Sequence, residues 1–309
     1  MTTSAIHPNL KHLRNSSTIQ LHKCPRKFEL DRLLPDSIDW NSQEDIDLSF
    51  GSIVGAGVAE YLVSRNLNKA YFAAFLTCTT DLDFHTTESA ISAGKSFWHA
   101  LFAISRFVLL DEQEYRDYEV VHFQGKPAVE LSFLVDCGDG FTNQGHVDVL
   151  LQHKRTGNYR VLDCKTTKYR SNIAQWQNAP QALGYSIMVD AITKTLATTY
   201  EVDYCLYNSK TQEWESFNFI KTHAQRAEWI RSLLRDIQHI AEYAEDDHFP
   251  KHGESCYDFF RPCSYLDTCQ FANHSIFGGK EPPVKLVEKE HFDFHFFLED
   301  LIQAQIDRE

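Results

Sequence analysis

"GHVDVLLQHKRTGNYRVLDCKTTK", residues 145–168, is the stretch on which the fold turns. Two runs of alternating apolar and β-branched residues, 145–152 and 159–167, flank a polar turn that contains Gly157, the pattern of a β-hairpin. Inside these runs stand Asp148, Asp163 and Lys165, charges that a half-buried strand ordinarily avoids. A hairpin centred between Arg155 and Thr156 pairs residues whose numbers sum to 311, which sets Asp148 opposite Asp163. Opposed residues share a face with Cβ atoms ~5 Å apart, and Lys165, two residues on, joins them. Val147, Val149, Leu162 and Cys164 then point the other way.

Two carboxylates held this close repel and lose hydration unless a cation lies between them. Hard carboxylate oxygens, with the backbone carbonyl of Cys164 beside them, suit Mg²⁺ or Mn²⁺, ions that also take phosphate oxygens into their shell. Lys165 would then face the scissile phosphate or the attacking water, as a charge stabiliser, or as a proton acceptor if its pKa is depressed. On the charges alone a second reading has equal standing, in which the acids belong to a surface network with Lys165 or Arg160. A one-residue slip in register would put the aspartates on opposite faces. "QNAPQALGYSIM" breaks the tie. Gln181 and Tyr185 lie one helical turn apart on one face, with Gln181 in the first turn, where free N–H groups favour a phosphate.

The rest of the chain sets bounds. Its 309 residues, 43% hydrophobic and 13% aromatic, suffice for a real core. "MTTSAIHPNLKHLRNSS" lacks the apolar centre of a signal peptide and no run is long enough for a membrane span, so a cytoplasmic protein is expected. Eight cysteines are too sparse for a disulfide scaffold and read as thiols or metal ligands. A net charge of −13 argues against a protein that coats nucleic acid by bulk electrostatics. Locally, Lys154, Arg155, Arg160, Lys165, Lys168 and Arg170 face the single acid Asp163, a net of +5. Lys154, Arg155, Lys168 and Arg170 are therefore candidate contacts to a nucleic-acid backbone, with Lys23, Arg26 and Lys27 as further candidates.

Periodicity predicts helices over 16–34, 50–67, 88–110, 178–196 and 223–245. It predicts strands over 118–124, 128–136, 145–152 and 159–167, and a second hairpin from 200–210 and 213–220. An irregular cysteine-bearing stretch and an acidic tail follow. This is an α/β chain with a helical N-terminal part.

The order Asp148 in "GHVD", Asp163-x-Lys165 in "DCK", and Gln181-x-x-x-Tyr185 in "QALGY" resembles the PD-(D/E)XK nuclease superfamily, in particular its RecB-type branch. "KTTK" after the acid is similar to that branch as well. The resemblance implies a restriction-endonuclease-like core with a mixed β-sheet flanked by helices. It implies catalytic roles for Asp148, Asp163, Lys165, Gln181 and Tyr185, with Asp148, Asp163 and the Cys164 carbonyl holding Mg²⁺ or Mn²⁺. Where such members commonly place a histidine ligand this chain has Gly55, so Glu130, which shares parity with Asp148, or Glu60 is expected to supply a further ligand. "HKCPRKFEL" resembles the segment in which a single cysteine pairs with three near the C-terminus. Here these are Cys24 with Cys256, Cys263 and Cys269, spaced C-x6-C-x5-C. The implied cofactor is a [4Fe–4S] cluster, or Zn²⁺, stapling the ends of the chain.

The organisation implied is residues 1–115 helical with the first cluster cysteine, 116–246 the nuclease core, 247–285 the cysteine segment packing back on the N-terminus, and 286–309 an acidic tail, one compact domain in all. The function implied is a metal-dependent DNA nuclease, an exonuclease acting at DNA ends in recombination, repair, or CRISPR-associated or phage DNA processing. If phage-encoded, it would work in the bacterial host's cytoplasm. The alternative is an inactive DNA-binding or scaffold protein that keeps the fold. Aromatic residues of the cysteine segment, Tyr257, Phe259, Phe260 and Tyr265, are candidates for stacking on unpaired bases or for core packing.

Overall fold

The computed structural model describes residues 6–34, 46–79, 85–169, 173–195, 199–258, 261–266, 269 and 292–307. The first elements are β1 (His12–Leu13), α1 (Asn15–Lys23), α2 (Pro25–Leu33), α3 (Ile46–Ser64), α4 (Leu67–Cys78), α5 (Glu88–Ser92) and α6 (Phe97–Leu110). The strands β2 (Tyr118–Val120), β3 (His122–Phe123), β4 (Lys126–Pro127), β5 (Val129–Asp136), β6 (Thr142–His153) and β7 (Tyr159–Thr167) come next. Then follow α7 (Ile173–Gln177), α8 (Pro180–Thr193), β8 (Thr199–Asn208), β9 (Glu213–Thr222) and α9 (His223–Glu245). The last are β10 (Tyr257–Asp258), β11 (Arg261–Pro262), β12 (Phe294–Phe297) and α10 (Leu298–Ile306).

Two compact units form, one from residues 43–131 and 146–226, the other from 1–42, 132–145 and 227–309. In the first, β2 and β7 pair with β6 antiparallel, β7 pairs with β8 parallel, and β8 with β9 antiparallel, giving a mixed sheet. A parallel pair needs a crossover connection, and α7 and α8 provide it. Helices α3, α4 and α6 close over one face of the sheet, where Phe50, Val54, Ile104 and Phe107 pack with Val149, Leu162 and Cys205. Gly57 allows α3 this approach, because a Cβ there would meet Ile104 at 2.2 Å. The other face carries Asp163 and Tyr204, and α8 contacts it.

Three expected elements are broken in the structure, and one helix is added. The helix expected over 16–34 is two helices, because Cys24 is extended (φ −161°) and Pro25, lacking an N–H, opens α2. The helix expected over 88–110 breaks at Gly94, whose φ of +69° suits glycine. The strand expected over 118–124 ends at Val120, and His122–Phe123 turns away to pair with Lys126–Pro127. Helix α4, absent from the expected elements, is capped by Asn66, whose side chain accepts from the N–H groups of Asn68 and Lys69.

In the second unit β12 runs parallel to Phe133–Asp136 of β5, and β1 parallel to Thr142–Asn143 of β6. Gly145 is required here, since a Cβ would sit 2.8 Å from the Phe133 ring. His22 on α1 meets Asp236 on α9 at 2.7 Å, and that hydrogen bond raises its pKa. No described helix is long and apolar enough to cross a membrane.

Candidate active site

The β6–β7 register is the one expected: Val149 pairs with Leu162 and Leu150 with Val161, so one further step sets Asp148 against Asp163. The Cys164 amide donates to Asp148 Oδ2 at 3.3 Å, tying that carboxylate to β7. Asp163 is fully buried; Lys165 Nζ donates to its Oδ1 at 2.9 Å, and its Oδ2 has no hydrogen-bond partner. Burial first, and the Asp148 carboxylate second, hold the Asp163 carboxyl well above the usual range. The nearby Asp148 charge adds to burial in disfavouring the ionised form of Asp163.

Burial alone would lower the Lys165 pKa, but the Asp163 and Asp148 charges outweigh it and raise it above the ordinary value. A lysine held protonated suits charge stabilisation rather than proton acceptance. This corrects the depressed pKa that the second role would need.

Glu130 approaches from β5 with φ +50°, a left-handed conformation that costs a non-glycine residue about 1–3 kcal/mol. Part of its side chain remains exposed, yet burial first and Asp148 second push its carboxyl up to about 7, with Lys165 opposing. Glu130, Asp148, Cys164, Lys165 and Glu60 line one groove of about 700 Å³, whose α3 wall includes Gly51 and Gly55. A Cβ at Gly55 would meet nothing within 4 Å, so that wall is open where a longer side chain would reach inward.

Pro180 opens α8 at a position that needs no N–H. Gln181 Nε2 donates to the Tyr185 hydroxyl. Tyr185 is buried, and burial, then Asp163 and Asp148, push its hydroxyl pKa well up, so it faces the acid pair as a neutral phenol. Tyr204, paired in register with Asp163, is fully buried with its hydroxyl unpartnered. Sequence reasoning missed it because local pattern does not reveal which strand will lie parallel to β7.

Hard oxygens suited to a divalent cation are therefore present: two opposed carboxylates, one with a buried unpartnered oxygen. Among the described residues no three His, Cys, Asp or Glu side chains form a cluster that could hold a metal ion.

The basic run is not one patch. Arg160 is spent on Glu201 and Asp203, and Lys165 on Asp163. Lys154 and Arg155 sit exposed at the hairpin turn, roughly 20 Å along the ladder from Asp148. His153 closes that turn by accepting from the amides of Arg155 and Thr156. Lys168 lies just past the opposite end of β7, exposed. Arg170, Phe259 and Phe260 lie outside the described residues. Tyr257 is exposed, and Tyr265 donates to Asp31.

In the second unit, Cys24, Cys256, Cys263 and Cys269 line one cavity of about 310 Å³. All four are free thiols. Ser255 and His252 hydrogen-bond to the Lys23 carbonyl, and the Arg26 amide donates to Pro250, so distant segments meet around it. Burial raises the Cys269 pKa, with Lys251 and Arg26 opposing. The four cysteines share one cavity, but among the described residues they are not drawn together into a metal-ligand cluster.

The profile of the PD-(D/E)XK nuclease superfamily matches residues 16–270. The chain belongs to that superfamily. Among solved structures, a candidate exonuclease from Eubacterium rectale is 11% identical with a TM-score of 0.50, over 85% of this chain and 95% of that one. At that identity the likeness concerns the fold. A second structure, SSO0001, is 12% identical over 74% of this chain and 76% of that one, at a TM-score of 0.31 that carries no argument. No curated protein matches. Superfamily membership makes the chain a nuclease by class, with the mixed sheet and flanking helices expected of it.

Proposed function

We infer that this protein is a Mg²⁺- or Mn²⁺-dependent DNA nuclease that hydrolyses phosphodiester bonds at DNA ends. The observation that carries the reading is the opposition of Asp148 to the fully buried Asp163, with Lys165 on the same acid. Asp148, Asp163 and the Cys164 carbonyl would hold the cation, with Glu130 the further ligand and Glu60 the more remote candidate on the same groove. When bound, the ion supplies Lewis acidity to the phosphate and to the attacking water. Lys165 neutralises charge that develops on the phosphate oxygens. Gln181 and Tyr185 hold the floor of the site behind Asp163. Lys168, and more distantly Lys154, Arg155 and Arg170, would follow the DNA backbone.

Cys24, Cys256, Cys263 and Cys269 are assigned to a [4Fe–4S] cluster, with Zn²⁺ the alternative, as a staple between the N-terminal helices and the segment 247–285. Residues 1–115 are assigned as the helical part, 116–246 as the nuclease core, and 286–309 as an acidic C-terminal segment that supplies β12 and α10. The reading puts the protein in the cytoplasm, the bacterial host's if phage-encoded, in recombination, repair or CRISPR-associated DNA processing. The experiment is degradation of end-labelled single- and double-stranded DNA with Mg²⁺ or Mn²⁺, wild type against Asp163→Ala. Metal-dependent loss of label from wild type alone is the expected result. Binding without loss of label would favour the non-cleaving scaffold, the reading to which Gly55 in place of a histidine lends support.

A further inference from the structure

An exposed tyrosine is ordinary on a protein surface, but Tyr169 is held unlike an ordinary surface residue. It lies four residues beyond Lys165, hence within ~14 Å of chain from the lysine at the acid pair. Its backbone is locked on both sides. The Tyr169 amide donates to Thr167 Oγ1 at 3.1 Å, Asn208 Nδ2 donates to the Tyr169 carbonyl at 3.3 Å, and the Ser209 amide donates to the Thr167 carbonyl at 2.7 Å. These bonds anchor the end of β7 to the end of β8. The residue is left 69% exposed, with the Lys168 ammonium over its ring, 5.4 Å from the centroid. A rigid support that presents a largely exposed aromatic residue, with a cation over one face and the other face left for a base, is an arrangement that can stack an unpaired nucleotide while attracting its phosphate.

We propose that Tyr169, with Lys168, is a stacking platform for an unpaired nucleotide next to the scissile phosphate, which makes single-stranded DNA the substrate this site takes. The proposal rests on the nuclease reading for its site and on the ring geometry for its chemistry. A duplex keeps its bases stacked on one another and offers the ring nothing to cover.

The test is fluorescence anisotropy of a labelled single-stranded oligonucleotide and a blunt duplex with Ca²⁺ in place of Mg²⁺, paired with steady-state cleavage of both in Mg²⁺. The variants are Tyr169→Ala, Tyr169→Leu, Tyr169→Phe and Tyr169→Trp. Alanine and leucine should weaken single-strand binding and raise KM by ~5- to 150-fold with kcat nearly unchanged. Phenylalanine and tryptophan should restore both, and duplex binding should move less than ~2-fold. Wild-type affinity in the alanine variant, a leucine variant as good as tyrosine, or equal losses on strand and duplex would each overturn the proposal. If wild type cleaves no nucleic acid, the nuclease reading fails by itself, and the anisotropy series still decides whether Tyr169 stacks on DNA.

Discussion

The acid pair on the hairpin and the thiols around the cysteine cavity are both candidate metal sites, yet they are under opposite stress. Asp163 is a buried carboxyl with an unpartnered oxygen and a second acid against it. The four cysteines are free of disulfides, and burial raises the pKa of Cys269. The first site is an electrostatic cost that a cation relieves. The second is tolerable without metal and changes character only when the thiols ionise to bind it. Metal should therefore act on chemistry and pH response at the hairpin, and on cohesion of the unit at the cysteines.

The largest expected effect that separates the two is on turnover. Asp163→Ala should reduce cleavage by at least ~10³-fold, whereas Cys256→Ser should leave the rate per folded molecule within ~10-fold; steady-state cleavage per correctly folded protein reads both. The converse holds for cohesion. Cys24→Ser should remove bound metal, measured by elemental analysis and visible absorbance, and lower the melting temperature by several degrees, ~2–4 °C per kcal/mol lost, while Asp163→Asn should not lower it in metal-free buffer.

The third prediction concerns pH. The folded-state pKa values of Asp163 and Glu130 are raised, the latter to about 7. Around pH 5 to 7 the folded protein thus binds more protons than the unfolded chain, and stability falls as pH rises through the folded values. Metal-free protein should melt at lower temperature at pH 8 than at pH 5 on account of these groups, and saturating Mg²⁺ should shrink the difference; calorimetric scans at the two pH values check this. Asp163→Asn combined with Glu130→Gln should flatten the trend, and cysteine variants should not. The smallest effect is that of Gln181→Ala, which removes one hydrogen bond to Tyr185 and should slow cleavage by ~3- to 10-fold without altering metal affinity measured by titration.

The same contrast explains what could be read from sequence. The hairpin is local: Gly157 marks the turn, parity fixes the faces, and the sum of pair numbers fixes the register, so the opposition of Asp148 and Asp163 follows from 24 contiguous residues. Gln181 and Tyr185 were legible for the same reason, being one helical turn apart. Tyr204 was not, because its place beside Asp163 depends on a parallel pairing made through two intervening helices. The left-handed turn of Glu130 was equally hidden, since nothing about a glutamate between apolar residues announces φ +50°. The scatter of the basic run was hidden too: charges contiguous in sequence are distributed by the strands between the two ends of the hairpin, and Arg160 meets its acids only on β8.

Mn²⁺ titration of the metal-free protein by isothermal calorimetry, in two buffers of different ionisation enthalpy, tests the central assignment most directly. Wild type should bind with release of about one proton per ion near pH 7, and Asp148→Asn and Asp163→Asn should each abolish that binding and that proton. Undiminished, proton-neutral binding in both variants would mean that the opposed aspartates are not where the ion sits.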